Sequence, residues 1–203
     1  MIAAKDDSGQ ALLGEAMDRF THLYLEAGKS GLSEPSVATV ATVDSNGRPT
    51  LRSMAISHFD ENGFVFFSSS GSRKGIHLEG HPFAAVCFYW EPLNEQITVE
   101  GPVEKVRDDD AEKWWMSRTR DNQFAAWASE QSARLDSRDT LQKRLARCRE
   151  QFSEGRVPKP PHWRGYRVRP ERIEFWHGGW RHLHERLCYE LTASGWQRFL
   201  LNP

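Results

Sequence analysis

Leu12, Leu13, Ala16, Met17, Phe20, Leu23 and Tyr24 recur at helical spacing, which predicts an amphipathic first helix ending around Gly28 to Gly31. From Ser36 the period changes. Residues 37–43, 50–59 and 64–69 are rich in β-formers, and Asn46-Gly47 and Asn62-Gly63 separate them, so a three-stranded antiparallel meander with tight turns is expected. Residues 83–90 and 96–106 supply two more strands. The stretches 108–117, 121–129 and 139–152 then read as helices, each beginning near an aspartate that suits a helix N-terminus. Beyond the stiff connector Val157-Pro-Lys-Pro-Pro161, residues 164–169, 172–177, 186–191 and 196–201 return to strands. Strands this dense, without helices for parallel crossovers, predict a small barrel or a strongly curled sheet. The expected architecture is mainly β with peripheral helices, in a single domain over residues 1–203 whose first 33 residues form a helical extension.

Residues 173–186 carry the densest chemistry. Bulky residues alternate on both sides of Gly178-Gly179, which predicts two short strands joined by a turn with positive φ. Side chains two apart on a strand share a face, so His182, His184 and Arg186 are expected to point into one cleft with Trp176. Two imidazoles and a guanidinium are costly to bury unless an anion or polar ligand meets them.

A second centre is Ser68-Ser-Ser-Gly71-Ser72-Arg73-Lys74, where a strand runs into a short helix with Ser72 as its N-cap. Free first-turn amides beside two cations suit a phosphate, and an ordinary capped turn reads equally well from this stretch alone. Arg52, on a neighbouring strand, strengthens the phosphate reading if it points the same way. In the helical part, Trp114 lies one turn before Arg118, a pair able to stack on and charge-pair with a planar anion, although tryptophans there also suit a core.

Composition narrows the classes. With 203 residues and 38% hydrophobic content the chain can bury one good core. A formal net charge of -1 argues against a generally basic nucleic-acid binder, yet residues 133–172 hold twelve Lys and Arg against five Asp and Glu, an excess of seven that suits an anion or a solvated face. No apolar run reaches membrane length and residues 1–10 lack a signal pattern, so a soluble cytoplasmic protein is expected. Cys87, Cys148 and Cys188 are widely spaced and read as free thiols. A metal on His177, His182 and His184 would lack a separate carboxylate or thiolate at ligand spacing, so no metal is expected.

Taken together, these pieces resemble the pyridoxamine 5'-phosphate oxidase family of flavin enzymes from about Val37 to Pro203. The likeness rests on Glu174-Phe-Trp-His-Gly-Gly179 with His182-Leu-His184-Glu-Arg186, on Gly71-Ser-Arg73-Lys74, on Glu95-Gln96, and on the run from Ser117-Arg118 to Gln131-Ser132. The resemblance implies a homodimeric split β-barrel that holds FMN between subunits and passes electrons from substrate to flavin and on to dioxygen. It assigns FMN contacts to Arg52, Phe67, Ser68, Arg73, Lys74, Gln96, Gln131, Ser132, Trp176 and Arg186. Gln96 and Gln131 have the amide donors and acceptors that a flavin edge needs.

The substrate positions depart from the vitamin-forming oxidases. Where those hold the substrate phosphate with lysine, tyrosine, arginine and serine, this chain has Ser57, Trp114, Arg118 and Asn122, and His182-Leu183-His184 replaces an Arg-Leu-His element. A charged contact to phosphate contributes about 1.5–3 kcal/mol, so losing two weakens a phosphorylated substrate by orders of magnitude. The departures imply a flatter, less charged substrate, as in the flavin oxidases of phenazine biosynthesis. Arg118 would pair with a carboxylate, Trp114 would flank the rings, and His184 with His182 would orient the substrate or accept a proton. The alternatives are the vitamin B6 oxidase itself and a non-catalytic flavin-binding module.

Overall fold

The structure, a computed structural model, describes residues 7–179 and 183–203. Helix α1 (Asp7–Lys29) is followed by β1 (Val37–Val43) and β2 (Pro49–Ala55), β3 (His58–Asp60), β4 (Gly63–Ser69) and helix α2 (Arg73–Gly80). Strands β5 (Phe83–Trp90) and β6 (Glu95–Lys105) lead into helices α3 (Asp108–Ser117), α4 (Arg120–Ala128) and α5 (Arg138–Gln151). The chain ends on β7 (Trp163–Val168), β8 (Arg172–His177), β9 (Glu185–Thr192) and β10 (Gly195–Leu200).

The strands run β10-β9-β8-β6-β5-β1-β2, all antiparallel, while β7 pairs with both β4 and the far end of β6. Strand β6 is the pivot. Its first residues lie between β5 and β8, and its last three turn to β7, so the sheet curls on itself. At the first Asn-Gly turn Gly47 takes φ +76, and the Asp44 carboxylate accepts from the amides of Asn46 and Arg48 at 2.8 and 2.9 Å.

The expected single strand over residues 50–59 is broken. Ile56 N–H donates to Ser36 O and Ser57 N–H to Val65 O, so the chain changes partners between them. Strand β2 stays with β1, β3 moves to β4, and the expected three-stranded meander becomes a corner between two parts of the barrel.

Helix α1 fills the barrel. Phe20 is fully buried, and its ring meets Phe59, Phe64, Phe88 and Trp90 at centroid distances of 4.8, 4.9, 5.0 and 5.7 Å. A second, smaller core holds the helices against β7. Trp115 donates through Nε1 to Val157 O at 2.8 Å, Trp163 packs edge-on to Trp115, and Gln123 caps the Trp115 carbonyl at 2.9 Å. The cleft described next lies along this second core.

Candidate active site

The capped helix start forms as the spacing predicts. Ser72 is the N-cap of α2, its hydroxyl accepting from Gly75 N–H at 3.3 Å. Arg73 N–H donates to Ser132 Oγ at 3.1 Å, which ties the helix start to the loop after α4. Ser132 itself takes φ +73, a left-handed conformation that costs a non-glycine residue about 1 kcal/mol and marks a position held for a purpose. Lys74 turns inward, 7% exposed, and donates to Ser68 Oγ and Gln131 Oε1, both at 2.9 Å.

Three cations gather here. Burial and the neighbouring Arg52 push the Lys74 ammonium down to about 8, and burial with the nearby Arg73 lowers the Arg52 guanidinium. Among the described residues none of the three has a carboxylate in salt-bridge contact, although exposed ion pairs are plentiful elsewhere on the chain. Like charges held together without a counterion, at a helix N-terminus, fit a phosphate monoester.

Next to the cradle a cleft of about 300 Å³ is lined by Phe67, Ser68, Gln131, Arg118, Asn122 and His162, with Trp163 at its wall. It brings five of the expected residues together, three from the flavin set and two from the substrate set. Arg118 places its guanidinium 5.6 Å from the Trp163 ring and donates weakly to Asn122 O at 3.4 Å. Its Nε is buried and has no hydrogen-bond partner among the described residues, and burial lowers its pKa. Arg118 and Trp114, the pair expected to meet one planar anion, have different neighbours in the fold. Trp163 takes the guanidinium because Trp114 packs toward Phe67 and His58. Ser57 is exposed beside His58 and does not line the cleft.

The remaining flavin-set residues lie on another face. Gln96 pairs with Trp176 and Trp176 with Arg186, so the three share one side of β6, β8 and β9, while the alternating Ile97 and Phe175 enter the core. Arg186 donates to Glu174 at 2.8 Å and to Asn202 O at 3.0 Å. On the same face lie Tyr89, 56% exposed, and Leu51, 72% exposed, an apolar surface suited to another subunit.

The expected two-residue turn is corrected. Strand β8 stops at His177, β9 resumes at Glu185, and neither Gly178 nor Gly179 takes positive φ. Glycine is required for closeness instead. Gly178 exchanges hydrogen bonds with Asn94 at 3.0 and 2.9 Å, and a Cβ on it would fall 1.8 Å from Asn94 Nδ2. His184 therefore precedes β9 instead of alternating with Arg186 on it, and its Nδ1 accepts from Gly179 N–H at 3.2 Å. His182 lies outside the described residues. His177 points away to the buried Glu95, 3.0 Å from Nδ1. Three site residues had no sequence signal: His162 and Trp163 fall between the proline connector and the expected strand over 164–169, and Thr42 reads as an ordinary strand position.

This curled barrel with an anion cradle and an arginine-bearing cleft has the form of a flavin-binding oxidoreductase. Residues 25–152 match the family pyridoxamine 5'-phosphate oxidase, and residues 163–203 match the pyridoxine 5'-phosphate oxidase C-terminal dimerisation region. The chain belongs to the pyridoxamine 5'-phosphate oxidase family, and it is an FMN-dependent oxidoreductase with a split-barrel, homodimeric fold. It is 44% identical over 189 residues to a pyridoxine/pyridoxamine 5'-phosphate oxidase of Myxococcus xanthus, covering 93% of this chain and 92% of that one. A similar enzyme from Alkalilimnicola ehrlichii is 44% identical over 194 residues, covering 95% and 99%. Among solved structures, PhzG from Burkholderia lata 383 in complex with tetrahydrophenazine-1-carboxylic acid superposes with a TM-score of 0.87 at 30% identity, covering 92% of each chain. No described helix is long and apolar enough to cross a membrane.

Proposed function

We propose that the chain oxidises a reduced, planar nitrogen heterocycle bearing one carboxylate, the chemistry of a late step in phenazine biosynthesis, with dioxygen as final electron acceptor. The observation that carries this reading is Arg118, a cation in the cleft whose buried Nε has no partner among the described residues, where Asn122 brings no further charge. One guanidinium suits a carboxylate; a phosphate dianion calls for more. The ligand of the PhzG complex, a tricyclic carboxylic acid, has this form.

Bound FMN supplies the two-electron acceptor and the group that dioxygen reoxidises. Arg52, Arg73, Lys74 and Ser132 hold its phosphate, Ser68 and Phe67 flank it, and Gln131 meets a polar edge. Gln96, Trp176 and Arg186 line neither cleft beside the cradle, so a second copy of the chain contributes them. Arg118 anchors the carboxylate and Trp114 flanks the rings. As the substrate gives up a hydride, His184, with His182 in the same segment, orients the ring and takes the proton leaving its nitrogen. Oxidation toward an aromatic product is downhill, so position matters more than base strength.

A second reading is oxidation of pyridoxine or pyridoxamine 5'-phosphate, favoured by the names of the relatives at 44% identity. An anaerobic titration separates the two. Flavin absorbance that bleaches only with a reduced phenazine carboxylate supports the first, and bleaching by pyridoxine phosphate within a turnover overturns it.

A further inference from the structure

Arg52 reaches the cradle from β2, and its guanidinium is braced on three sides. Nη1 donates to Val40 O at 3.0 Å and to Thr42 Oγ1 at 2.9 Å, and Nη2 donates to Thr50 Oγ1 at 2.7 Å. A guanidinium has five N–H donors and no acceptor, so two donors remain for a ligand. Because Arg52 can only donate, Thr42 Oγ1 must accept from it. The Thr42 hydroxyl hydrogen is then free for His77 Nδ1, 3.2 Å away. The oxygen also keeps a second lone pair, so His77 closes the chain either as acceptor, with its proton on Nε2, or as donor from Nδ1. Thr42 is fully buried and His77 nearly so.

We infer that Thr42 and His77 are positioning residues that aim Arg52 at the flavin phosphate. The inference rests on Arg52 being a phosphate contact. The brace has a physical reason: Arg73 and Lys74 stand beside Arg52 and repel it, so an unrestrained guanidinium would swing to solvent before the phosphate arrives. Asp44, a carboxylate that feels the charge of Arg73, is engaged by the amides of its own turn. His77 also belongs to α2, five residues beyond its N-cap Ser72. One short helix thus carries Arg73 and Lys74 at its start and His77, the end of the brace, in its last turn, which fixes the distance between the two halves of the cradle.

The test uses the full-length protein freed of flavin and titrated with FMN and with riboflavin, which lacks the phosphate, following flavin fluorescence. Thr42→Val and His77→Leu are expected to weaken FMN roughly tenfold with riboflavin affinity unchanged, since only a charge-assisted contact is misaligned. His77→Gln, which returns an acceptor oxygen, is expected to recover most of the loss. Parallel weakening of FMN and riboflavin would assign these residues a merely structural role and overturn the inference, as would no change in either. Arg52→Met is the companion variant. If it leaves the FMN-to-riboflavin ratio at the wild-type value, the reading of Arg52 itself fails, an outcome distinct from failure of the brace alone.

Discussion

The imidazole of His184 lies against the indole of Trp176, ring centroids 4.7 Å apart and planes inclined by 36°. Trp176 is held in register by its pairing with Gln96 and Arg186, so it fixes the histidine relative to the flavin-set residues. His184→Ala is expected to keep FMN bound and lower turnover by about a hundredfold, the usual size of a lost proton acceptor. Trp176→Ala is expected to weaken FMN. Stopped-flow reduction and flavin retention on gel filtration measure both, and flavin release from His184→Ala would reassign that residue to the cofactor.

Arg118 is predicted to serve the substrate and not the cofactor. Removal of a charge-assisted contact costs about 1.5–3 kcal/mol, so Arg118→Ala is expected to raise KM by roughly ten- to a hundredfold while the protein stays yellow. Arg118→Lys, a point charge without the planar fork, is expected to recover only part. Steady-state kinetics beside the flavin's visible absorbance separates these outcomes.

Flavin binding is predicted to depend on pH through Lys74. Its ammonium, near 8 in the folded apoprotein against 10.5 ordinarily, is neutral above about 8. The unfolded chain keeps that proton up to 10.5, so apoprotein stability rises with pH between these values and is lowest below about 8. A bound phosphate favours the charged form, so FMN binding takes up a proton above that pH and its affinity falls as pH rises from about 7 to about 9. Lys74→Met is expected to flatten the profile. Proton uptake measured by calorimetry in buffers of different ionisation heat checks the sign.

Gly178 is predicted to tolerate no side chain while Asn94 stands opposite. Gly178→Ala is expected to cost about 2 kcal/mol or more and to reduce turnover, because its Cβ would overlap Asn94. Asn94 sits in a left-handed conformation, φ 53, which glycine accepts readily. The double variant Asn94→Gly with Gly178→Ala is therefore expected to regain part of the melting temperature, which thermal unfolding followed by circular dichroism reads directly.

Periodicity placed the strands and helices, because alternation and helical spacing are local properties. The cap at Ser72 was legible for the same reason. What escaped depends on contacts between distant segments. The break at Ile56 and Ser57 arises because Ser36 and Val65 compete for successive amides, and nothing in the run of β-formers records that competition. Gly178-Gly179 reads as a turn from its neighbours alone, whereas its reason is Asn94, 84 residues earlier. Family likeness collected the residues of the cleft, yet it did not foresee that Arg118 would lie on Trp163 or that Lys74 would turn toward Gln131.

The hydrogen-bonded clasp between Asn94 and Gly178 adds one rung to the ladder of β6 and β8 beyond the pair Glu95 and His177, and His177 pairs in turn with Glu185 of β9. The row formed by Gln96, Trp176 and Arg186 lies one rung further in. Its open end is therefore latched from both neighbouring strands, and a change that loosened the latch would be felt at that row before it reached the rest of the barrel.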